Sequence, residues 1–162
     1  MGRFLNKGNE KFERFSRSRY YVDKTELINK LLEKDETEKF VCNSRARRFG
    51  KSVAANMLVA YFSKGADSRT LFEPLKCVKD TAFIENMNQY DTIFADIQAV
   101  FVEARRSKED PNEYLDKCFV AELKAVYPDI VSDHDVLERA LGKIYQETGS
   151  QFVIIFDEWD YP

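Results

Sequence analysis

Cysteine, histidine, proline and glycine are all scarce in this chain of 162 residues, and each scarcity removes a class of protein. Three cysteines, Cys42, Cys77 and Cys118, are odd in number and widely spaced, which excludes a disulfide scaffold; their apolar surroundings predict reduced core thiols. The single histidine, His134, lies between Asp133 and Asp135 near a helix start and reads as a surface residue, with no metal motif around it. No apolar run is long enough to span a bilayer and no cleavable signal pattern is read, so a cytoplasmic location without membrane contact is expected. Positive charge is not in excess either. Lys and Arg number 25 against 28 Asp and Glu, and a net charge of −3 argues against a broadly basic surface that holds nucleic acid through phosphates alone. What remains is an ordinary globular composition, 44% hydrophobic and 14% aromatic, in a length that suits one domain with a sizeable core.

The most informative stretch, Arg45-Ala46-Arg47-Arg48-Phe49-Gly50-Lys51-Ser52, holds a single glycine. A phosphate-binding P-loop needs a glycine-rich turn, a lysine for the β and γ phosphates and a hydroxyl for Mg²⁺, all opening a helix whose N-terminus favours anions. Gly50-Lys51-Ser52 supplies the second half of that pattern, while Arg45 stands where its first glycine belongs. The alternative is a plain helix start with a solvated lysine. Context favours the P-loop: residues 39–43 read as a short strand upstream, and Val53 to Phe62 as an apolar helix downstream. Far along the chain, Phe152-Val153-Ile154-Ile155-Phe156 is a continuous apolar run ending in Asp157-Glu158, the pattern of a buried parallel strand that delivers carboxylates to its C-terminal edge.

Other elements follow from caps and periodicity. The first twenty residues show no clean period and read as an irregular leader. Asp23 with Glu26 predicts a capping box before a helix whose Leu27, Ile28, Leu31 and Leu32 share a face. A turn-rich stop at 63–68 precedes a short amphipathic piece around Leu71, Phe72 and Leu75, and 92–97 reads as a second strand. Asp110-Pro111-Asn112-Glu113 predicts a capped helix start with Leu115, Phe119, Leu123 and Val126 buried. Ser132 and Asp135 open another helix, with Val136, Leu137, Ala140, Leu141 and Ile144 inward, closed by Gly149. Strands alternating with helices imply a parallel α/β sheet.

Several blocks in order resemble the predicted AAA-type ATPases, whose P-loop commonly reads Arg-Pro-Arg-Arg-Phe-Gly-Lys-Ser. They are Asn6-Lys7-Gly8-Asn9, Tyr21-Val22-Asp23-Lys24-Thr25-Glu26-Leu27-Ile28, Asp67-Ser68-Arg69 before Leu71-Phe72, and Asp157-Glu158-Trp159-Asp160. Ala46 replaces the usual proline and Trp159 the usual tyrosine; neither change removes a catalytic group. The resemblance implies a P-loop NTPase fold, three α/β/α layers around a parallel sheet. Residues 1–38 would be leader and first helix, and 39–162 the core from Walker A to Walker B. In AAA-like proteins, which this chain resembles, a further strand with a polar sensor residue lies between those of the P-loop and the Walker B acids. Little sequence follows Glu158, so the expectation is an N-terminal portion with its sheet truncated after the Walker B strand, binding ATP weakly and hydrolysing it poorly or not at all.

The residues assign roles accordingly. Lys51 would bridge β and γ phosphates, with the backbone N–H groups of residues 48 to 52 cradling the β phosphate, and Arg47, Arg48, Phe49, Gly50, Lys51 and Ser52 would form the nucleotide-binding stretch. Ser52 would ligate Mg²⁺, Asp157 would hold the ion through its water shell, and Glu158 would orient or deprotonate the attacking water. Arg45, Arg47 and Arg48 admit two readings, positive potential around a triphosphate or contact with a neighbouring subunit or a nucleic-acid phosphate. Tyr20, Tyr21 and Trp159 suit either base stacking or rim packing, and Asp160 either a supporting acid or a turn. The competing functions are a non-catalytic remnant and a nucleic-acid-binding module using Arg45 to Arg48; unpaired strand edges would favour self-association.

Overall fold

The computed structural model describes residues 2–34, 36–38, 40–44 and 49–160. It is a mixed α/β structure with a parallel two-stranded sheet, and it divides into two compact units: Gly8–Gln89, and Met1–Lys7 with Tyr90–Pro162.

The Gly8–Gln89 unit is helical among its described residues. It contains α1 (Glu10–Ser16), α2 (Glu26–Leu32), α3 (Lys51–Phe62), α4 (Arg69–Phe72) and α5 (Thr81–Asn86), with a single 3₁₀ turn at Glu36–Glu38. The longest is α3, twelve residues without glycine or proline, and it buries Ala54, Met57, Val59, Ala60, Tyr61 and Phe62. That near-complete apolar girth marks an interior helix. Its C-terminal aromatics enter a ring cluster. Phe12 stacks on Phe72 with centroids 5.4 Å apart, and Tyr61 meets Phe72 at 5.8 Å and Phe83 at 4.7 Å. The Tyr61 hydroxyl donates to the Phe83 carbonyl at 2.6 Å, which satisfies the one polar atom this ring buries.

Polar side chains then sew this unit to its own main chain. Asp23 accepts from the Lys76 N–H (2.7 Å), the Thr25 hydroxyl accepts from the Cys77 N–H (3.0 Å), and Asn29 both accepts from the Val78 N–H (3.0 Å) and donates to the Val78 carbonyl (2.8 Å). Three side chains from the start of α2 thereby hold three consecutive backbone positions about fifty residues away.

In the other unit, β1 (Asp91–Asp96) pairs parallel with β2 (Phe152–Asp157) in the register Asp91 to Phe152 through Asp96 to Asp157. Between them run α6 (Ile97–Ser107), α7 (Pro111–Val126) and α8 (Leu137–Thr148). The second edge of β1 is covered by the N-terminal segment: Leu5 bridges Ile93 antiparallel, the Asn6 N–H donates to the Thr92 carbonyl (2.8 Å), and the Phe94 N–H donates to the Phe4 carbonyl (2.9 Å). Glu122 on α7 fastens that segment by accepting the N–H groups of Arg3, Phe4 and Leu5 at 2.7–3.1 Å. The core beneath holds Ile93, Val100, Phe119, Leu123, Ala140 and Ile144.

The parallel pairing, α3, β1, β2 and the capped start of α7 agree with the sequence. Asp110 accepts from the N–H groups of Asn112 (2.9 Å) and Glu113 (3.2 Å) with Pro111 in the first turn, and Gly149 closes α8 at φ +70°. Other expectations need correction. The strand expected at 39–43 does not form over its described residues 40–43: Phe40 is 99% exposed and Val41 50%, and no described residue pairs with them, while Lys39 lies outside the described residues. The leader contains α1. No capping box opens α2, because Asp23 turns onto Thr25, whose hydroxyl and N–H it accepts at 2.6 and 2.9 Å. Val126 and Val136 face solvent, being at helix ends that project past the packed stripe. Ile154 and Phe156 are also exposed, since the described residues leave one face of β2 uncovered. Cys42 is exposed with its segment, whereas Cys77 is buried and Cys118 half-buried. His134 lies at the surface, as expected.

Candidate functional site

The expected site residues fall in both units. Gly50, Lys51 and Ser52 are at the start of α3 in the helical unit, and Asp157 and Glu158 follow the apolar run of β2 in the sheet unit. Arg45, Arg47 and Arg48 lie outside the described residues.

Gly50 is the N-cap of α3, at φ +75° and ψ +32°. A residue with a side chain is strained there, and a Cβ on Gly50 would come within 3.1 Å of the Lys24 ammonium. Its N-cap glycine offers no side-chain acceptor, and the N–H groups of the first turn have no intrahelical one. A left-handed residue joined to helical ones also turns successive N–H groups toward one side, an anion-binding concavity that adds to the helix dipole. Lys51 and Ser52 are half-buried, and their side chains have no hydrogen-bond partner among the described residues. The Ser52 carbonyl accepts from the Asn56 side chain at 2.7 Å, leaving the hydroxyl available. A cation, a hydroxyl and free amides on one helical turn are donors fitted to a phosphate chain and to a hard metal ion that travels with it.

Sequence reading passed over Lys24 as a site residue. Its ammonium donates to the Phe49 carbonyl, the peptide immediately before the N-cap. Asp23 and Thr25 on either side bind the Lys76 and Cys77 N–H groups, whereas Lys24 is exposed and reaches the turn before α3. Burial would raise the Asp23 carboxyl, but the Thr25 hydroxyl and the Thr25 and Lys76 N–H groups outweigh it and hold Asp23 below its usual range. The clamp therefore keeps its charge at neutral pH.

In the sheet unit, Asp157 ends β2 and is 9% exposed, its Oδ1 accepting the Glu158 N–H at 3.1 Å. Glu158 breaks the strand at φ +50°, and Trp159 beyond it is 60% exposed. Asp96, the register partner of Asp157, is a second carboxylate at the same sheet edge. Ile93-Phe94-Ala95-Asp96 repeats the apolar-run-then-acid signal, so this residue was within reach of the sequence. The carboxylate of Asp96 accepts the Ala99 N–H at 3.0 Å and caps α6. Among the described residues no three His, Cys, Asp or Glu side chains gather as a metal site. Tyr21 packs edge-on against Phe12 at 5.9 Å, whereas Tyr20 is 85% exposed. No described helix is long and apolar enough to cross a membrane.

The sequence profile of a family described as Predicted AAA-ATPase matches residues 7–162, and the chain belongs to that family. No curated protein and no solved structure matches it.

Proposed function

We propose that this chain carries the nucleotide-binding apparatus of a Mg²⁺-dependent ATPase, built as a P-loop fold of three α/β/α layers around a parallel sheet. The observation that supports it is the Gly50-Lys51-Ser52 turn at the head of the buried helix α3, in a member of the Predicted AAA-ATPase family. Lys51 binds the β and γ phosphates, the backbone N–H groups of 48–52, Arg48 and Phe49 among them, cradle the β phosphate, and Arg47 belongs to the same nucleotide-binding stretch. The Ser52 hydroxyl would be a Mg²⁺ ligand, and Asp157 would offer its carboxylate to the water shell of Mg²⁺, consistent with a metal that keeps several waters and few protein carboxylates. Bound Mg²⁺ neutralises charge on the phosphate oxygens. Glu158 orients the attacking water or takes its proton. A cytoplasmic location belongs to the same reading, which three unpaired cysteines suit.

Titration of a fluorescent ATP analogue with and without Mg²⁺ tests the proposal. Lys51→Ala is expected to weaken binding about 100-fold, about 2.7 kcal/mol, without lowering the melting temperature, because the ammonium makes no hydrogen bond among the described residues. Equal affinity of Lys51→Ala and wild type would end the nucleotide reading. Nucleotide-independent binding to single-stranded DNA that falls steeply with salt would put the Arg45 to Arg48 module in its place.

A further inference from the structure

We infer that Lys24 is the positioning residue of the phosphate cradle: it anchors the Phe49 carbonyl and thereby aims the N–H of Gly50 into the site. The inference rests on the nucleotide reading above and assigns it a residue outside the P-loop pattern.

A trans peptide points its C=O and N–H in opposite directions. The Lys24 ammonium holds the Phe49 carbonyl on its own side, so the Gly50 N–H of the same peptide faces away from Lys24. The left-handed Gly50 then places this N–H in series with those of the first turn of α3. Without the anchor, the 49–50 peptide is free to flip and present a carbonyl oxygen where an anion needs a donor. Glycine is the residue least able to resist that flip, because both signs of φ are open to it.

The anchor is itself held. Asp23 and Thr25 are bound to the Lys76 and Cys77 N–H groups, and Asn29, one turn into α2, is bound to Val78 from both sides. Lys24 therefore projects from a fixed platform, and its four-carbon stem spans only the gap from that platform to the turn. A Cβ at Gly50 would meet the same ammonium at 3.1 Å and would have to push it aside, in addition to the strain of a side chain at φ +75°.

Wild type, Lys24→Met and Lys24→Arg would be compared by isothermal titration with Mg·ATP, by thermal melting, and by the Gly50 amide resonance without nucleotide. Lys24→Met is expected to bind about tenfold more weakly, with a melting temperature lowered by at most a few degrees and a displaced Gly50 resonance, because one exposed charge-assisted hydrogen bond is lost. Lys24→Arg, which keeps a charged donor, is expected to restore affinity to within about threefold and return the resonance. If Lys24→Met fails to fold, Lys24→Gln takes its place: weaker binding than Lys24→Arg supports the anchor, and wild-type binding overturns it. Lys24→Met binding like wild type, or Lys24→Arg binding as poorly as Lys24→Met, overturns the role of Lys24 while wild-type binding and its loss in Lys51→Ala leave the nucleotide reading standing. No binding by wild type overturns both.

Discussion

The two units are held together in different ways. In Met1–Lys7 with Tyr90–Pro162, main chain binds main chain along β1, which pairs with β2 on one edge and with the N-terminal segment, fastened by Glu122, on the other, over a core of aliphatic residues with Phe4 and Phe119. In Gly8–Gln89, side chain binds main chain. Asp23, Thr25 and Asn29 hold 76–78, Ser68 donates to the Ala60 carbonyl at 2.7 Å, and Asn88 donates to the carbonyls of Ala60, Tyr61 and Ser63 at 3.0–3.2 Å. Strands carry their own donors and acceptors along an edge, whereas helices consume theirs internally and must be joined by side chains. The unit with the lysine-bearing turn is thus the one whose geometry depends on individual polar residues.

Phe72→Ala puts the largest strain on that contrast. The ring is fully buried among Phe12, Tyr61 and Phe83, and its removal should cost about 3–5 kcal/mol in urea unfolding; a loss below about 1 kcal/mol would show that the aromatic cluster is not the core of the helical unit. Thr25→Val probes the polar clamp at nearly constant volume. It strands the buried Cys77 N–H and should cost about 1–3 kcal/mol, with faster hydrogen exchange at that amide, and unchanged exchange would break the claim that side chains sew this unit. In the sheet unit, Asp110→Ala removes the cap of α7 and should cost about 1 kcal/mol, leaving the exchange of the β1 amides little changed because the strand pairing does not pass through that cap. The smallest effect concerns Asp135, which the Lys143 ammonium and the Ser132 N–H and hydroxyl hold at about 2, against an ordinary 3.8. A lowered folded value means that the unfolded chain binds the proton more readily. This contribution is present above about pH 4 and lost as pH falls toward about 2, so Asp135→Asn should flatten the fall in melting temperature across that window.

Legibility in the sequence followed the same division. Caps and strands were readable where a local rule sufficed: Asp110 with Pro111, Gly149, and the apolar runs that became β1 and β2. The Asp23 capping box failed because its carboxylate found a nearer donor in Thr25 and a distant one at Lys76, a competition that spacing alone does not reveal. Residues 40–44 have strand composition but no partner among the described residues, and β propensity expresses fit to neighbours rather than an intrinsic backbone preference. Of the candidate site, Gly50, Lys51, Ser52, Asp157 and Glu158 were visible as motif residues. Lys24 was not, since nothing in the sequence connects it to a carbonyl 25 residues away.

By itself the sequence determined the family, the helix that begins at Lys51 and the two strands that each end in an acid, because these follow from short-range pattern and hydrophobic run. Tertiary structure decided which face of β2 remains open, which polar residue each amide meets, and that a lysine from a separate block reaches the turn before α3. Those outcomes depend on long-range pairing, where a donor takes whichever acceptor the fold brings within reach.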